Sequence, residues 1–184
     1  MKKLAYSFAV MILIFLTAST KAQTPLDKVY EKYAGEEGYT AVNISKEMFQ
    51  MFQSMGNDNS DADAKDLKKM IDQLNGLKVL TCNADSTKPG KVQAFYNEVS
   101  VLYPASVYKE LMTVNDGGDN IRFLTKQDAG GKIIEMVMLM KGKHESVVLS
   151  LTGLIDLSTV SKLSKTMGIH GMENLQKVKP EKKK

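Results

Sequence analysis

The chain has 184 residues, 43% of them hydrophobic and 25% charged, with 25 Lys and Arg against 21 Asp and Glu for a formal net charge of +4. That length supports one domain with a sizeable core, whereas two full domains would both be unusually small. Cys82 is the only cysteine, which excludes an intramolecular disulfide and leaves the core to stabilise the fold.

The chain opens with Met1-Lys2-Lys3, an apolar run over residues 4–18 and the polar stretch Ser19-Thr20-Lys21-Ala22, the pattern of a secretory signal peptide. Thr20 and Ala22 place small residues where a signal peptidase reads, so cleavage is expected near Ala22. The apolar run falls short of the roughly 20 residues that a bilayer-spanning helix needs. No cysteine follows it, so a lipoprotein is not expected and the mature chain should be periplasmic or secreted. Three of the 25 basic residues (Lys2, Lys3, Lys21) and none of the 21 acids lie in this leader, which leaves 22 against 21, a net +1. Lys177, Lys179, Lys182, Lys183 and Lys184 against Glu181 concentrate +4 at the end of the chain, so the body is mildly acidic at about −3. A nucleic-acid partner would want a basic face on the domain itself, and none is expected.

After the leader, Leu26, Val29, Tyr30 and Tyr33 recur at helical spacing, with Gly35 placed to end a helix. Residues 39–44 are rich in β-formers. Ser45 is then a plausible N-cap for a helix whose Met48, Phe49, Met51, Phe52 and Met55 form an apolar face. Residues 56–61 are a polar break. Leu67, Met70, Ile71 and Leu74 predict a helix over about 62–75 that stops at Gly76, followed by a strand over 77–82. Val92, Phe95, Val99 and Leu102 predict another helix, closed before Pro104. Strand-like runs over 108–114, 121–126, 132–141 and 146–151 are separated by Asp116-Gly117-Gly118-Asp119, Asp128-Ala129-Gly130-Gly131 and Gly142, strong hairpin signals. A last helix over about 158–167 carries Val160, Leu163 and Met167, with Gly168 as its stop. Helices mixed with strands early, then a run of strands, predict an α+β fold: a single antiparallel meander sheet with helices packed mainly on one face. The expected organisation is a signal peptide over 1–22, one α+β domain over 23–172 and a basic disordered tail over 173–184.

Five segments, 38–46, 80–82, 111–118, 131–139 and 151–157, taken in order, resemble the small exported proteins of Bacteroidota grouped as domain of unknown function 4252. The resemblance covers nearly the whole mature chain. It implies the localisation and the domain limits, and no activity, cofactor or site residue.

Cys82 ends an apolar strand-like run, and such a cysteine more often packs as a small hydrophobe than attacks as a thiolate. His144 falls in an expected hairpin turn and His170 near the chain end, so neither is placed beside it. The acidic stretch 57–63 fails the EF-hand pattern, because Lys65 or Lys68 falls where an oxygen ligand belongs. Met48, Met51 and Met55, with Met136, Met138 and Met140, could offer thioethers to a soft ion but are interleaved with Phe49, Phe52, Val137 and Leu139 as a core would be. Asp116-Gly117-Gly118-Asp119-Asn120 reads as a turn, and the terminal lysines as a solubilising tail. No catalytic, cofactor-binding or metal-binding residue is therefore assigned, and no cofactor is expected.

The residues 133–140 are apolar on both strand faces, which points to a non-enzymatic module that binds another envelope protein or a small apolar ligand through its sheet. The alternatives are a hydrolase-type enzyme using Cys82 or an acidic pair, and a module held weakly at a membrane surface by the C-terminal lysines.

Overall fold

The computed structural model describes residues 24–55, 68, 69 and 71–156, with side chains at all of these except 52–55. The expected leader, the acidic stretch 57–63, the last helix, His170 and the basic tail lie outside the described residues.

The elements follow the order α1 (Asp27–Tyr33), β1 (Tyr39–Ser45), α2 (Lys46–Met55), β2 (Leu74–Asn83), α3 (Lys91–Ser100), β3 (Lys109–Asp116), β4 (Asp119–Gln127), β5 (Ile133–Lys141) and β6 (Glu145–Ile155). The strands form one antiparallel sheet in the order β1-β2-β6-β5-β4-β3. The run from β3 to β6 is the expected meander. Gly117 and Gly118 turn β3 into β4 with φ of 58° and 101°, the pair of positive values that a two-residue hairpin turn demands.

The strand residues alternate between two faces, and each face has its own core. On the first, Leu80, Val148, Leu139 and Leu124 pack with Phe95 and Val99 of α3 and Val29 of α1. On the second, Leu77, Leu149, Met138 and Phe123 pack with Phe49 of α2. Two of the three described helices thus stand on one face and the third on the other, as an α+β meander with helices mainly on one side requires. The central strand β5 is buried on both faces by this arrangement, since Val137 and Leu139 enter the first core and Met136 and Met138 the second.

Three expectations are corrected. Strand β2 begins at Leu74, not 77, because Leu74 is buried in the second core as a strand residue and the ladder to β6 continues through it. Gly76 is accordingly a strand residue paired with Ser45 and Thr152, not a helix stop. On α2, Phe49 faces inward, but Met48 and Met51 are 42% and 54% exposed, so these two methionines share the solvent side. The N-cap role of Ser45 holds loosely, its Oγ accepting the Met48 N–H at 3.4 Å.

Candidate functional site

The first sheet face changes character along the strands. One cross-strand row reads Ala41, Leu80, Val148, Leu139, and the next reads Asn43, Lys78, Ser150, Val137. The row after that reads Ser45, Gly76, Thr152, Glu135, Lys126 across five strands. Directly opposed residues in antiparallel strands share a face, so the register alone sets a polar band beside the apolar core. Gly76 leaves a gap in the middle of that band.

The start of α1 overhangs the band. Asp27 accepts the Thr24 N–H at 2.9 Å through Oδ2 and the Thr24 hydroxyl at 2.7 Å through Oδ1. This carboxylate ties the first residue of α1 back to the turn that precedes it. Asp27 also pairs with Lys78 of β2, which ties the helix start to the sheet. Between them lies an open cleft of about 570 Å³, lined by the band, by Thr24 and Pro25, and by the amides of Asn43 and Asn75.

Glu135 is the buried charged member of this lining, with 4% of its surface exposed. Its Oε1 accepts the Ser150 hydroxyl and its Oε2 the Tyr108 hydroxyl, both at 2.8 Å. A carboxylate out of water normally has a cation against it. Among the described residues Glu135 has none, since Lys78 is paired with Asp27 and Lys126, directly opposite on β4, makes no ion pair. Behind this group the Tyr103 ring packs edge-on to Tyr108 at 5.0 Å. The Tyr103 hydroxyl is buried without a hydrogen-bond partner among the described residues. Burial, and then Glu135 through its charge at Tyr103 and its hydrogen bond at Tyr108, push both phenols far above the ordinary tyrosine value.

Burial alone would raise the Asp27 carboxyl, but hydrogen bonds from Lys78 and Thr24 outweigh it and hold the group below its ordinary 3.8. A depressed carboxyl stabilises the fold above its unfolded pKa and loses that contribution as pH falls through the folded value. Asp27→Asn is therefore expected to lower stability by about 1 kcal/mol at neutral pH. In chemical denaturation at a series of pH values, the gap between the two proteins should close below the ordinary value of 3.8.

Cys82 lies elsewhere, in the first core at 0% exposure. Burial pushes its thiol up, against weaker opposing effects of a hydrogen bond with Tyr39 and the charge of Lys91. The carbonyl of His144 accepts the Ala84 N–H at 2.6 Å, two residues beyond Cys82, but the His144 side chain is exposed and no bond joins it to the thiol. Cys82 should resist iodoacetamide in the native protein and react fully in denaturant, as read by mass spectrometry. Met136 and Met138 sit in the second core and Met140 is partly exposed. Among the described residues no group of three or more His, Cys, Asp or Glu is arranged to hold a metal ion. None of their helices is long and apolar enough to cross a membrane.

No residue pattern in the sequence groups the cleft residues, although signals for some of them exist. Thr24-Pro25-Leu26-Asp27 fits the Ser/Thr-x-x-acid pattern that marks the approach to a helix. Glu135 is the one acidic residue in the apolar run 133–140, and its neighbour at i+2, Val137, enters the first core.

The fold and this site define an antiparallel α+β chain with a polar cleft let into one sheet face. The chain belongs to the family described as Domain of unknown function (DUF4252), which it matches over residues 30–163, from within α1 to beyond β6. Comparison with curated proteins and with solved structures gives no match.

Proposed function

We propose that the chain is a non-enzymatic binding module of the bacterial cell envelope and that the polar cleft is where it takes its ligand. The leader pattern of residues 1–22 supports an exported protein, periplasmic or secreted, and the resemblance noted above supports an origin in Bacteroidota. The observation that carries the binding reading is Glu135, a buried carboxylate without a counter-charge that reaches the floor of an open cleft. An apolar ligand on the open sheet has less support, because both faces of β5 are occupied by the two cores. A hydrolase has less support too. Cys82 is buried away from the cleft, and the two acids that line it are each engaged by two neighbouring groups.

The test is retention of small molecules from an envelope extract by the purified protein and by two variants that narrow the cleft, Gly76→Val and Asn43→Phe. Gly76 has no positive φ, and an added Cβ would meet nothing nearer than the Ile44 carbonyl at 3.5 Å, so the first variant should fold. Compounds held by the wild type and lost from both variants support the cleft. Equal retention by all three proteins sinks it.

A second reading rests on a separate observation. Met48 and Met51 of α2 and Val42 of the edge strand β1, on the same side of the sheet, are each more than 40% exposed. Clustered exposed apolar groups mark protein contact surfaces, which supports a second envelope protein as partner. Met51→Lys should abolish capture of such a partner and leave the cleft ligands untouched.

A further inference from the structure

The chemistry of the cleft narrows its ligand. Glu135 and Lys126 face each other across β5 and β4, on the same side of the sheet. Side chains so opposed start about 5 Å apart at Cβ, close enough for a salt bridge. They do not form one, because the two carboxylate oxygens are turned toward Tyr108 and Ser150. The result is one negative and one positive group side by side on a cleft wall, each with unused hydrogen-bonding capacity: a lone pair on each Glu135 oxygen and all three Lys126 donors. The remaining charged lining residues, Asp27 and Lys78, neutralise each other. Hydroxyls and amides from Ser45, Thr152, Asn43 and Asn75 share the rest of the lining with the apolar Pro25, Ile44 and Ile134, and among the described residues no aromatic side chain is there on which a base or a sugar ring could stack.

Resting on the cleft reading above, we propose that the ligand is a small zwitterion of the amino-acid type, its ammonium accepted by Glu135 and its carboxylate held by Lys126. A single-charged solute would satisfy one wall group and leave the other unmatched. A zwitterion supplies Glu135 with the counter-charge that the fold withholds and gives Lys126 an acceptor. Gly76 provides the room, since any side chain there would point into the band between Ser45 and Thr152.

Isothermal titration of the purified protein with glycine, β-alanine and 4-aminobutyrate tests this, with ethylamine and acetate as the half-ligands. At least one zwitterion should bind with Kd below about 1 mM, and both half-ligands at least about tenfold more weakly. Glu135→Gln and Lys126→Met should each weaken the zwitterion at least about tenfold. Lys126→Met leaves the Tyr108–Glu135–Ser150 hydrogen bonds intact and keeps the test readable if Glu135→Gln is unstable. Absence of binding by every zwitterion at about 10 mM, half-ligands as tight as the zwitterion, or a Lys126→Met variant that binds like the wild type would overturn the proposal. If other solutes are still retained by the wild type and lost from Gly76→Val, the zwitterion is wrong and the cleft stands. If nothing is retained, both fall.

Discussion

Gly153→Ala is expected to destabilise the protein by about 4 kcal/mol, seen as a fall in melting temperature on the order of 10 °C. Gly153 lies in β6 opposite the start of β2, with φ of 136°, a conformation that an L side chain rarely adopts. The register shifts between Leu74 and Gly76, so two residues of β2 answer to one step of β6 there. The backbone closes so tightly at this bulge that a Cβ on Gly153 would lie 2.3 Å from the Gln73 carbonyl and 2.7 Å from Leu74 Cα. The next residue, Leu154, donates its N–H to the same carbonyl at 3.0 Å. Relief would need the two strands to part, which would break that bond and disturb Leu74 and Ile155 in the second core. Gly76→Ala, three residues beyond Gln73, is the control. It meets only ordinary contacts at 3.5 and 3.6 Å and should melt within about 2 °C of the wild type. Equal melting of Gly153→Ala and wild type would show that the bulge is not closed as described.

The same region shows where local pattern informs and where it misleads. The hairpins were legible because Gly117 and Gly118 carry a requirement that no other residue type meets as well, and α3 because Val92, Phe95 and Val99 keep one period on one buried face. Leu74 misled, since its spacing from Ile71 suits a helix, yet it is buried by β6 and α2, partners remote in sequence. Gly76 reads as a helix stop in the sequence, whereas it leaves a gap in a polar row. The cleft was harder still. Its floor exists only when β2 inserts beside β6, which brings Ser45, Gly76, Thr152, Glu135 and Lys126 into one row. That pairing joins segments more than 60 residues apart. What sequence did carry was the anomaly of Glu135, a charge placed where the strand period called for a core residue.

Glu135→Ala should show what that anomaly is worth to the fold. The substitution removes the acceptor of two hydroxyls that are themselves buried, Tyr108 at 3% and Ser150 at 2% exposure. Each hydroxyl left without a partner costs about 1–3 kcal/mol, so a loss of about 3–5 kcal/mol is expected in urea or thermal unfolding. Glu135→Gln keeps one acceptor and nearly the same volume, and should lose only about 1–2 kcal/mol. Tyr103→Phe is the counterpart on the same cluster, for it deletes a buried hydroxyl that has no partner among the described residues. It should leave stability unchanged or raise it by about 1 kcal/mol. The contrast separates two accounts of the cluster. If Glu135→Ala is severe and Tyr103→Phe is neutral, the carboxylate is the hub and its free lone pairs face the cleft, as ligand binding requires. If Tyr103→Phe is as damaging as Glu135→Ala, the Tyr103 hydroxyl has a partner that draws on the same carboxylate, and Glu135 has less capacity left for a ligand cation.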